Sequence, residues 1–406
     1  MTYPEAIDWL FSTQMFGIKL GLEGPRNLLK EYLAFPKRGV KVIHVAGTNG
    51  KGSTCAMIDS VARAAGLRTG LFTSPHLVDY RERIQVSGQQ IPEDGCAAML
   101  TQLRGICEGL ETHPTFFEIT LALAMRWFSE RECELIVLET GMGGRLDATT
   151  AVPADVCVVT PIGLDHTQWL GDTLELIAAE KAGIFIEGAT AVSSPQEPAA
   201  RFVLEKEANE CRCPLTFVRE PLLGYSIALA GPHQAWNAAL ALAALDAAAV
   251  PLSFDTVQYG LSHVKWPGRF ERFPADCRPE IILDGAHNPH AAKVLAETWQ
   301  QVFGDKKATL LFSAVSSKDI SGILSLLTPL AGRILLCPVD TLRAVPTSEL
   351  AAALPEGAMA TEYATFDEAL EASLAFNEPV LVAGSLFLVG EAKARLEGGE
   401  FQSSTQ

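Results

Sequence analysis

One stretch, residues 42–55, constrains the fold more than any other part of the chain. Its apolar run Val42–Ala46 predicts a short buried strand. Three glycines follow, at positions 47, 50 and 52, and a helical pattern with one apolar face begins at once. The free N–H groups of a first helical turn and the helix dipole both favour negative charge. A strand, a glycine turn and a helix N-terminus therefore predict an anion-binding site.

Side chains in this loop indicate that the bound anion is a phosphate group. Lys51 adds a positive charge, and Ser53 or Thr54 offers a hydroxyl group to a magnesium ion. The spacing differs from the usual G-x-x-x-x-G-K-[ST], because Gly52 separates Lys51 from Ser53 and the loop is one residue short. An ordinary tight turn is the alternative for this stretch taken alone. The phosphate interpretation is favoured because strand and helix both stand where phosphate binding needs them.

Apolar strands and helices alternate through the first two thirds of the chain. Strands are expected at 69–72, 134–139 and 155–160, and helices from Thr115 onward and at 173–183. This alternation predicts an α/β fold with a doubly wound, mostly parallel sheet, whose ligands lie at the carboxyl ends of the strands. Glu139 ends one buried strand, where a nucleotide enzyme holds its metal. Residues 194–232 are polar, and we expect them to be irregular.

A second β/α alternation follows Trp266–Glu271, whose turn residues indicate a hinge. Its strands are expected near 281–283, 309–312, 334–337 and 380–383, with helices at 289–303 and 366–376. The expected domains are residues 1–268, which carry the phosphate loop, and residues 269–406, a smaller Rossmann-like α/β domain.

Charge and cysteine content restrict the class of protein. The net charge of −16 argues against a nucleic-acid surface. Nine cysteines without a C-x-x-C pair indicate reduced thiols, and the closest two, Cys211 and Cys213, are interpreted as inert rather than metal-binding. Neither a signal peptide nor an apolar run long enough for a membrane is recognised. We expect a cytoplasmic monomer.

Eight short motifs occur in an order that resembles the folylpolyglutamate synthase/dihydrofolate synthase family of the Mur ligase superfamily. The resemblance runs from about Ile18 to Glu391. The motifs are Gly47–Ser53, Thr73–His76, Leu138–Ala148, Asp165–His166, Glu180–Phe185, His233–Asn237, Pro267–Phe270 and Asp284–Pro289.

The resemblance implies ATP-dependent amide formation. The γ-phosphoryl group of ATP passes to a substrate carboxylate, and the amine of L-glutamate then displaces phosphate from the acyl phosphate. The residues agree with this, since phosphoryl transfer needs positioning and charge neutralisation, and the chain shows no convincing Ser-His-Asp or Cys-His arrangement. The acceptor is a folate, dihydropteroate or both.

Roles for individual residues follow from the resemblance. The catalytic group comprises Lys51, Lys181, His166 and Arg269, with Lys181 carried as a carbamate. Magnesium, as two ions, is assigned to Ser74, Glu139 and His166. The residues assigned to ATP include the phosphate loop, Asn49, Gly50, Lys51, Gly52 and Ser53. Asn237 is assigned to the base side, Arg269 from the hinge to the phosphates, and Asp284 to the ribose. The pterin-binding segments are Ile18, Lys19 and Leu20; Thr115, Phe116, Phe117 and Glu118; and Leu146, Asp147 and Ala148.

Two other functions are consistent with parts of the sequence. A ligase for cell-wall nucleotide-sugar peptides shares the superfamily, but such relatives carry an extra domain before the phosphate loop, and here only 46 residues precede Gly47. A nucleotide-driven ATPase switch would explain the loop, yet it leaves the second α/β domain with Asp284–Pro289 unexplained.

Overall fold

The computed structural model describes residues 1–17, 19, 21–274, 279–316, 318–341 and 343–402. Contacts between Cα atoms divide the chain into two units. Unit 1 comprises Met1–His76, Arg81–Ala228 and Ala235–Val264, and unit 2 comprises Leu77–Tyr80, Leu229–Gln234 and the chain from Lys265 onward. Each unit is an α/β structure built on one sheet, as the alternating pattern predicts.

The sheet of unit 1 has eight strands in the order β4-β3-β2-β5-β1-β6-β7-β8. Its strands are β1 (Lys41–Ala46), β2 (Thr69–Phe72), β3 (Ile84–Val86), β4 (Gln89–Gln90), β5 (Leu135–Glu139), β6 (Val156–Val159), β7 (Thr190–Ser193) and β8 (Leu215–Phe217). Six of these strands run parallel, and β3 and β4 form an antiparallel edge. The order reverses around β1, between β5 and β6, and this places the loop after β1 at a switch point of the sheet.

Helices connect these strands and begin or end the unit. They are α1 (Tyr3–Ser12), α2 (Glu23–Glu31), α3 (Lys51–Ala64), α4 (Glu93–Cys107), α5 (Phe116–Glu130), α6 (Thr167–Leu170), α7 (Leu174–Ala182), α8 (Pro198–Glu210), α9 (His233–Ala247) and α10 (Phe254–Ser262). Short 3₁₀ helices cover Thr13–Phe16, Tyr80–Arg83 and Ala148–Ala151.

Unit 2 has a six-stranded sheet in the order β13-β12-β11-β14-β10-β9, of which only β9 is antiparallel to its neighbour. The strands are β9 (Glu271–Phe273), β10 (Ile281–Leu283), β11 (Ala308–Phe312), β12 (Ala331–Leu336), β13 (Thr361–Glu362) and β14 (Val380–Ala383). The helices are α11 (Pro289–Phe303), α12 (Ile320–Leu327), α13 (Thr347–Ala352), α14 (Phe366–Ser373) and α15 (Leu386–Glu397), with a 3₁₀ turn at Thr328–Leu330.

Side chains that alternate along the strands give unit 2 a core on each face of its sheet. Ile282 and Phe312 pack with Trp299 of α11 on one face. Ile281 and Leu283 pack with the helices of the other face. Strands buried on both faces are continuous apolar runs, which is why β10, β11 and β14 could be predicted from sequence.

One expectation about local structure is wrong. Residues 194–232 are not irregular throughout, because they contain α8 and the edge strand β8. The polar tail, residues 398–406, lies only in part within the described ranges. In the part of the chain that the structure describes, no helix combines the length and apolarity needed to cross a membrane.

Candidate active site

The loop between β1 and α3 has the geometry of an anion cradle. Helix α3 begins at Lys51, and its N-cap residue Gly50, left-handed with φ of +87°, has no side chain with which to cap the first-turn N–H groups. Lys51 Nζ folds back and donates to the carbonyl oxygens of Gly47 and Thr48 at 3.2 and 3.4 Å. Gly52 and Ser53 lie buried in the first turn of α3. Uncapped N–H groups beside an ammonium group are suited to a polyphosphate.

The loop is anchored to the segment that follows β6. The N–H groups of Thr48 and Asn49 both donate to Pro161 O, at 3.0 and 3.3 Å. Thr48 Oγ1 also exchanges hydrogen bonds with the backbone of Gly163, each at 3.0 Å. A Cβ at Gly47, whose φ is +145°, would overlap Thr160 Oγ1. These contacts hold the loop in one conformation before any ligand binds.

Lys181 is buried and reaches the same loop from α7. Its Nζ donates to Gly47 O at 2.8 Å, so this carbonyl accepts from two lysines. Burial, followed by the charge of Lys51, lowers the pKa of Lys181 to about 7. An ammonium group removed from water loses hydration, and a second cation adds repulsion. The neutral amine is therefore accessible near neutral pH.

Ser74 and Glu139, two of the three residues assigned to magnesium, lie together. The backbone N–H of Ser74 donates to Glu139 Oε2 at 3.1 Å, and Glu139 is buried at the end of β5. His166, the third, has an exposed ring and begins α6 with a left-handed φ of +51°. Its Nε2 lies 4.0 Å from Asp165 Oδ1.

This donor set fits magnesium better than a metal that needs a full protein cage. Among the described residues, no group of three or more His, Cys, Asp and Glu side chains is arranged to hold a metal ion. Magnesium takes one or two carboxylates and keeps waters and substrate phosphate oxygens as its other ligands. Glu139, a buried carboxylate that accepts from Ser74 N–H, meets that requirement. It ends β5, which pairs with β1, the strand that leads into the phosphate loop.

Asn237 lies against the phosphate loop. A Cβ at Gly50 would stand 2.8 Å from Asn237 Oδ1, so the amide contacts the loop at the N-terminus of α3. The assignment of Asn237 to the base side of the nucleotide stays a prediction, and the structure places its side chain beside the turn that begins the helix. Its side chain is buried.

The segment Thr115–Glu118 forms the N-terminus of α5, where the side chains of Thr115 and Glu118 each accept a hydrogen bond from the backbone N–H of the other residue. Thr115 Oγ1 accepts from Glu118 N at 3.3 Å, and Glu118 Oε2 accepts from Thr115 N at 2.6 Å, which is a capping box. Phe116 packs against Arg83, whose Cζ is 5.1 Å from the ring centroid. Phe117 packs against Phe72 at 5.6 Å between ring centroids.

The other assigned pterin-binding residues differ in exposure. Lys19 is exposed and donates to His113 O at 2.7 Å, while Ile18 and Leu20 lie outside the described residues. Leu146 is exposed and Ala148 buried. Asp147 accepts from the N–H groups of Met142 and Thr149, at 2.9 and 3.0 Å, and burial raises its pKa.

Arg269 and Asp284 are neighbours within unit 2. Arg269 Nη1 donates to Gly268 O at 3.0 Å. The two oxygens of Asp284 accept from Phe270 N and Ala286 N, each at 2.9 Å. Burial raises the pKa of Asp284, and the charge of Arg269 opposes that rise. This arrangement fixes the carboxylate in place, while the guanidinium donates to the backbone oxygen of the neighbouring glycine.

Two acids that the sequence analysis left without a role act on Lys181. The charges of Asp165 and Glu180, together with that of Asp147, raise the pKa of Lys181 against the effect of burial. Asp165 directly precedes His166, and Glu180 directly precedes Lys181, so both stood inside quoted motifs. The sequence alone does not show that the charges of these acids act on the pKa of Lys181, which lies against the phosphate loop.

Comparison with known proteins covers nearly the whole chain. The Mur ligase middle domain matches residues 45–219, and the glutamate ligase domain of Mur ligases matches residues 268–386. The dihydrofolate synthase/folylpolyglutamate synthase of Bacillus subtilis (strain 168) is 32% identical over 429 residues, covering 97% of this chain and 99% of the relative.

Two solved structures are similar over the same length. E. coli FolC in complex with DHPP and ADP has a TM-score of 0.87 and 31% identity, covering 97% of this chain and 98% of the other. A bifunctional folylpolyglutamate synthase/dihydrofolate synthase with Mn, AMPPNP and L-glutamate bound gives the same TM-score, identity and coverage.

Proposed function

Because the chain belongs to the folylpolyglutamate synthase/dihydrofolate synthase family of Mur ligases, we propose that it joins L-glutamate to the carboxylate of a folate, of dihydropteroate, or of both, with hydrolysis of ATP. It is an amide-forming acid–amino-acid ligase. The observation that carries the proposal is the uncapped N-terminus of α3, with Lys51 and the buried Lys181 meeting at Gly47 O.

The reaction needs a site that gathers negative charge. The carboxylate of the acceptor attacks the γ-phosphorus of ATP, ADP leaves, and an acyl phosphate forms. The neutral amine of glutamate then attacks the acyl carbon, phosphate leaves with the electrons of the broken C–O bond, and the amine loses a proton. Positioning and neutralisation of phosphate charge supply the catalysis in such transfers.

The phosphate loop binds the triphosphate in this proposal. Asn49 to Ser53 form the loop around the phosphates, where Gly50 to Ser53 supply backbone N–H groups and Lys51 supplies charge. Asn237, whose side chain lies beside Gly50, contacts the nucleotide on its base side. Arg269 binds phosphate oxygens, and Asp284 binds the ribose. Lys51 and Arg269 are the groups whose charge balances that of the transferred phosphoryl group.

Ser74, Glu139 and His166 would hold magnesium, as two ions. Bound there, the metal would supply positive charge that neutralises the negative charge developing on the phosphoryl group. The relative solved with Mn, AMPPNP and L-glutamate bound supports the binding of a divalent ion in this proposal.

Lys181 is carried as a carbamate. An unmodified ammonium group would repel divalent ions, whereas a carbamate offers them anionic oxygen. The modification needs a neutral amine, and burial with the charge of Lys51 lowers the pKa of Lys181 to about 7. Its Nζ at 2.8 Å from Gly47 O is already directed at the phosphate loop.

The acceptor binds through the three pterin segments, which are residues 18–20, 115–118 and 146–148. Residues 1–268 form the ATP-binding domain and residues 269–406 the glutamate ligase domain. The enzyme works in the cytoplasm as a monomer; its unpatterned cysteines support a reducing compartment.

The test is an ATP-coupled assay with each acceptor in turn. Phosphate release that requires glutamate together with dihydropteroate or a folate, with the glutamylated product identified by mass spectrometry, is the expected result. ATP hydrolysis that needs neither would indicate a nucleotide switch, and a requirement for a nucleotide-sugar peptide would indicate a cell-wall ligase.

A further inference from the structure

The peptide groups of Gly268 determine where the Arg269 side chain lies. Gly268 N donates to Glu271 Oε2 at 2.8 Å, and Gly268 O accepts from Gly285 N at 2.9 Å. The same carbonyl oxygen accepts from Arg269 Nη1 at 3.0 Å. A Cβ at Gly285 would overlap Arg269 Nη1, so the guanidinium group lies directly against this backbone. Any movement of Gly268 would therefore move the guanidinium group.

The carboxylate of Glu271 is in turn bound by Lys393 of α15. Lys393 Nζ donates to Glu271 Oε1 and to Glu397 Oε1, each at 2.6 Å. Burial acts to lower the pKa of Lys393, but the hydrogen bonds to the two carboxylates outweigh it and the pKa is raised, so the ammonium group stays charged. Glu271 thus uses one oxygen to bind α15 and the other to bind the turn before Arg269.

This ion pair is more enclosed than the exposed pairs of the same elements. The side chains of Lys393 and Glu271 are 10% and 23% exposed, whereas those of Arg395 and Asp367, which also pair through α15, are 66% and 70% exposed. An enclosed ion pair costs desolvation and is weak evidence for stability, while it can select one conformation. The conformation that this pair selects is that of the turn.

We propose that Glu271, held by Lys393, is a positioning residue that sets the place of the Arg269 guanidinium group for phosphate binding. The inference rests on the role proposed above for Arg269. A donor stabilises a transition state only if it already stands where negative charge develops. Without Glu271, Gly268 N loses its acceptor, and a glycine with φ of +70° has the backbone freedom to move.

The experiment compares E271A with E397A in the whole enzyme. Each variant takes one carboxylate from Lys393 and leaves it the other, so the ammonium group keeps a partner in both. Only E271A also removes the acceptor of Gly268 N. We expect E271A to lower kcat about tenfold and to change the KM of the acceptor less than about twofold. The matched control E397A should keep kcat near its original value.

Two further measurements separate positioning from a general loss of structure. The double variant R269A/E271A should have the kcat of R269A alone, because Glu271 acts through Arg269. The amide of Gly268 should exchange hydrogen faster in E271A than in E397A, and this readout does not depend on activity. An exchange rate at Gly268 that is equal in the two variants would overturn the inference.

The kinetic outcomes distinguish this inference from the role of Arg269 itself. If R269A loses kcat but E271A is as active as E397A, or if the losses of R269A and E271A multiply in the double variant, the inference is wrong and the role of Arg269 stands. If R269A keeps its full kcat, the role proposed for Arg269 is wrong and the inference is overturned with it. If E271A does not fold, K393M replaces it, and a K393M enzyme as active as E397A would overturn the inference.

Discussion

At the scale of single residues, the carbonyl oxygen of Gly47 accepts hydrogen bonds from two lysines, Lys51 and Lys181, and Lys181 lies 134 residues beyond Gly47 in the chain. The glycine spacing predicted a phosphate site, and the quoted motifs named both lysines. Sequence reasoning could not show that Lys51 and Lys181 share one acceptor, because the contact depends on how α7 packs beside the loop. Burial is the largest cause of the lowered pKa of Lys181, and the charge of Lys51 is the second.

Replacing Lys51 tests the cradle. We expect K51A to lower kcat by about 10²-fold or more, the effect of removing a charged donor from a transition state, while the fold is retained. The matched control is K41A, which removes an exposed lysine paired with Asp155 at 3.1 Å and should keep kcat near its original value. Circular dichroism and steady-state assays give the two readouts. A K51A enzyme as active as K41A would contradict the assignment.

Replacing Lys181 distinguishes two roles for this residue, a carbamate that binds metal and a structural cation. We expect K181A to lose most activity, and acetate or formate to restore part of it by supplying an anionic oxygen group. K181R should stay inactive and resist rescue, because it keeps the cation and fills the space. Thermal unfolding of both variants checks that the fold survives.

A direct measurement accompanies the Lys181 variants. Labelled bicarbonate should give a carbamate signal by NMR in the unsubstituted protein and none in K181A. The signal should grow as the pH rises through about 7, since the neutral amine is the reactive form and the pKa of Lys181 lies there. An active K181R, or no signal at high bicarbonate, would leave Lys181 as an ordinary buried amine.

At the scale of elements, the sequence predicted the strands and helices with a strong apolar pattern and missed those with a weak one. Strands β1, β2 and β5 were predicted within a residue of their observed ends because they are buried apolar runs. Helix α8 was missed since its buried face carries only Ala200, Leu204 and Ala208. Two alanines and one leucine make the buried face only slightly more apolar than the rest of a polar helix. Strand β8 has three residues at a sheet edge, too few for a pattern.

The start of α5 offers a test at this scale. We expect T115A to lower the free energy of unfolding by about 1 kcal/mol, the usual loss for an N-cap, and to raise the KM of the pterin acceptor because the first turn carries that segment. The matched control is T365A, where Thr365 Oγ1 caps α14 by accepting from Glu368 N at 3.2 Å. It should lose similar stability in urea denaturation without a change in KM. Equal KM values for both variants would remove residues 115–118 from the acceptor site.

At the scale of the whole molecule, the net charge of −16 opposes binding of an anionic nucleotide. Local cations must therefore supply the attraction. The proposed cations are Lys51 and Lys181, which belong to unit 1, and Arg269, which belongs to unit 2. The two α/β alternations predicted two such units from sequence. The electrostatic interaction of Arg269 with Asp284 was not predicted, since it depends on the antiparallel pairing of β9 with β10, which the sequence does not show.

The last prediction concerns Arg269 and combines kinetics with pH dependence. We expect R269A to reduce kcat more than it raises the KM of the acceptor, because a phosphate contact acts mainly in the transition state. The matched control is R272A on β9, which removes an exposed arginine paired with Glu280 at 2.6 Å.

The same substitution should change stability in a direction set by Asp284. Burial raises the pKa of Asp284 above 3.8, and Arg269 opposes the rise, so R269A should raise it further. A carboxyl group with a raised folded-state pKa binds its proton more tightly in the folded state, so the variant's loss of unfolding free energy should be largest near neutral pH. The loss should shrink as the pH falls toward 3.8, where the unfolded chain is also protonated. Urea denaturation at several pH values measures this, and a loss that is independent of pH, or equal in R272A, would show that Arg269 does not act on Asp284.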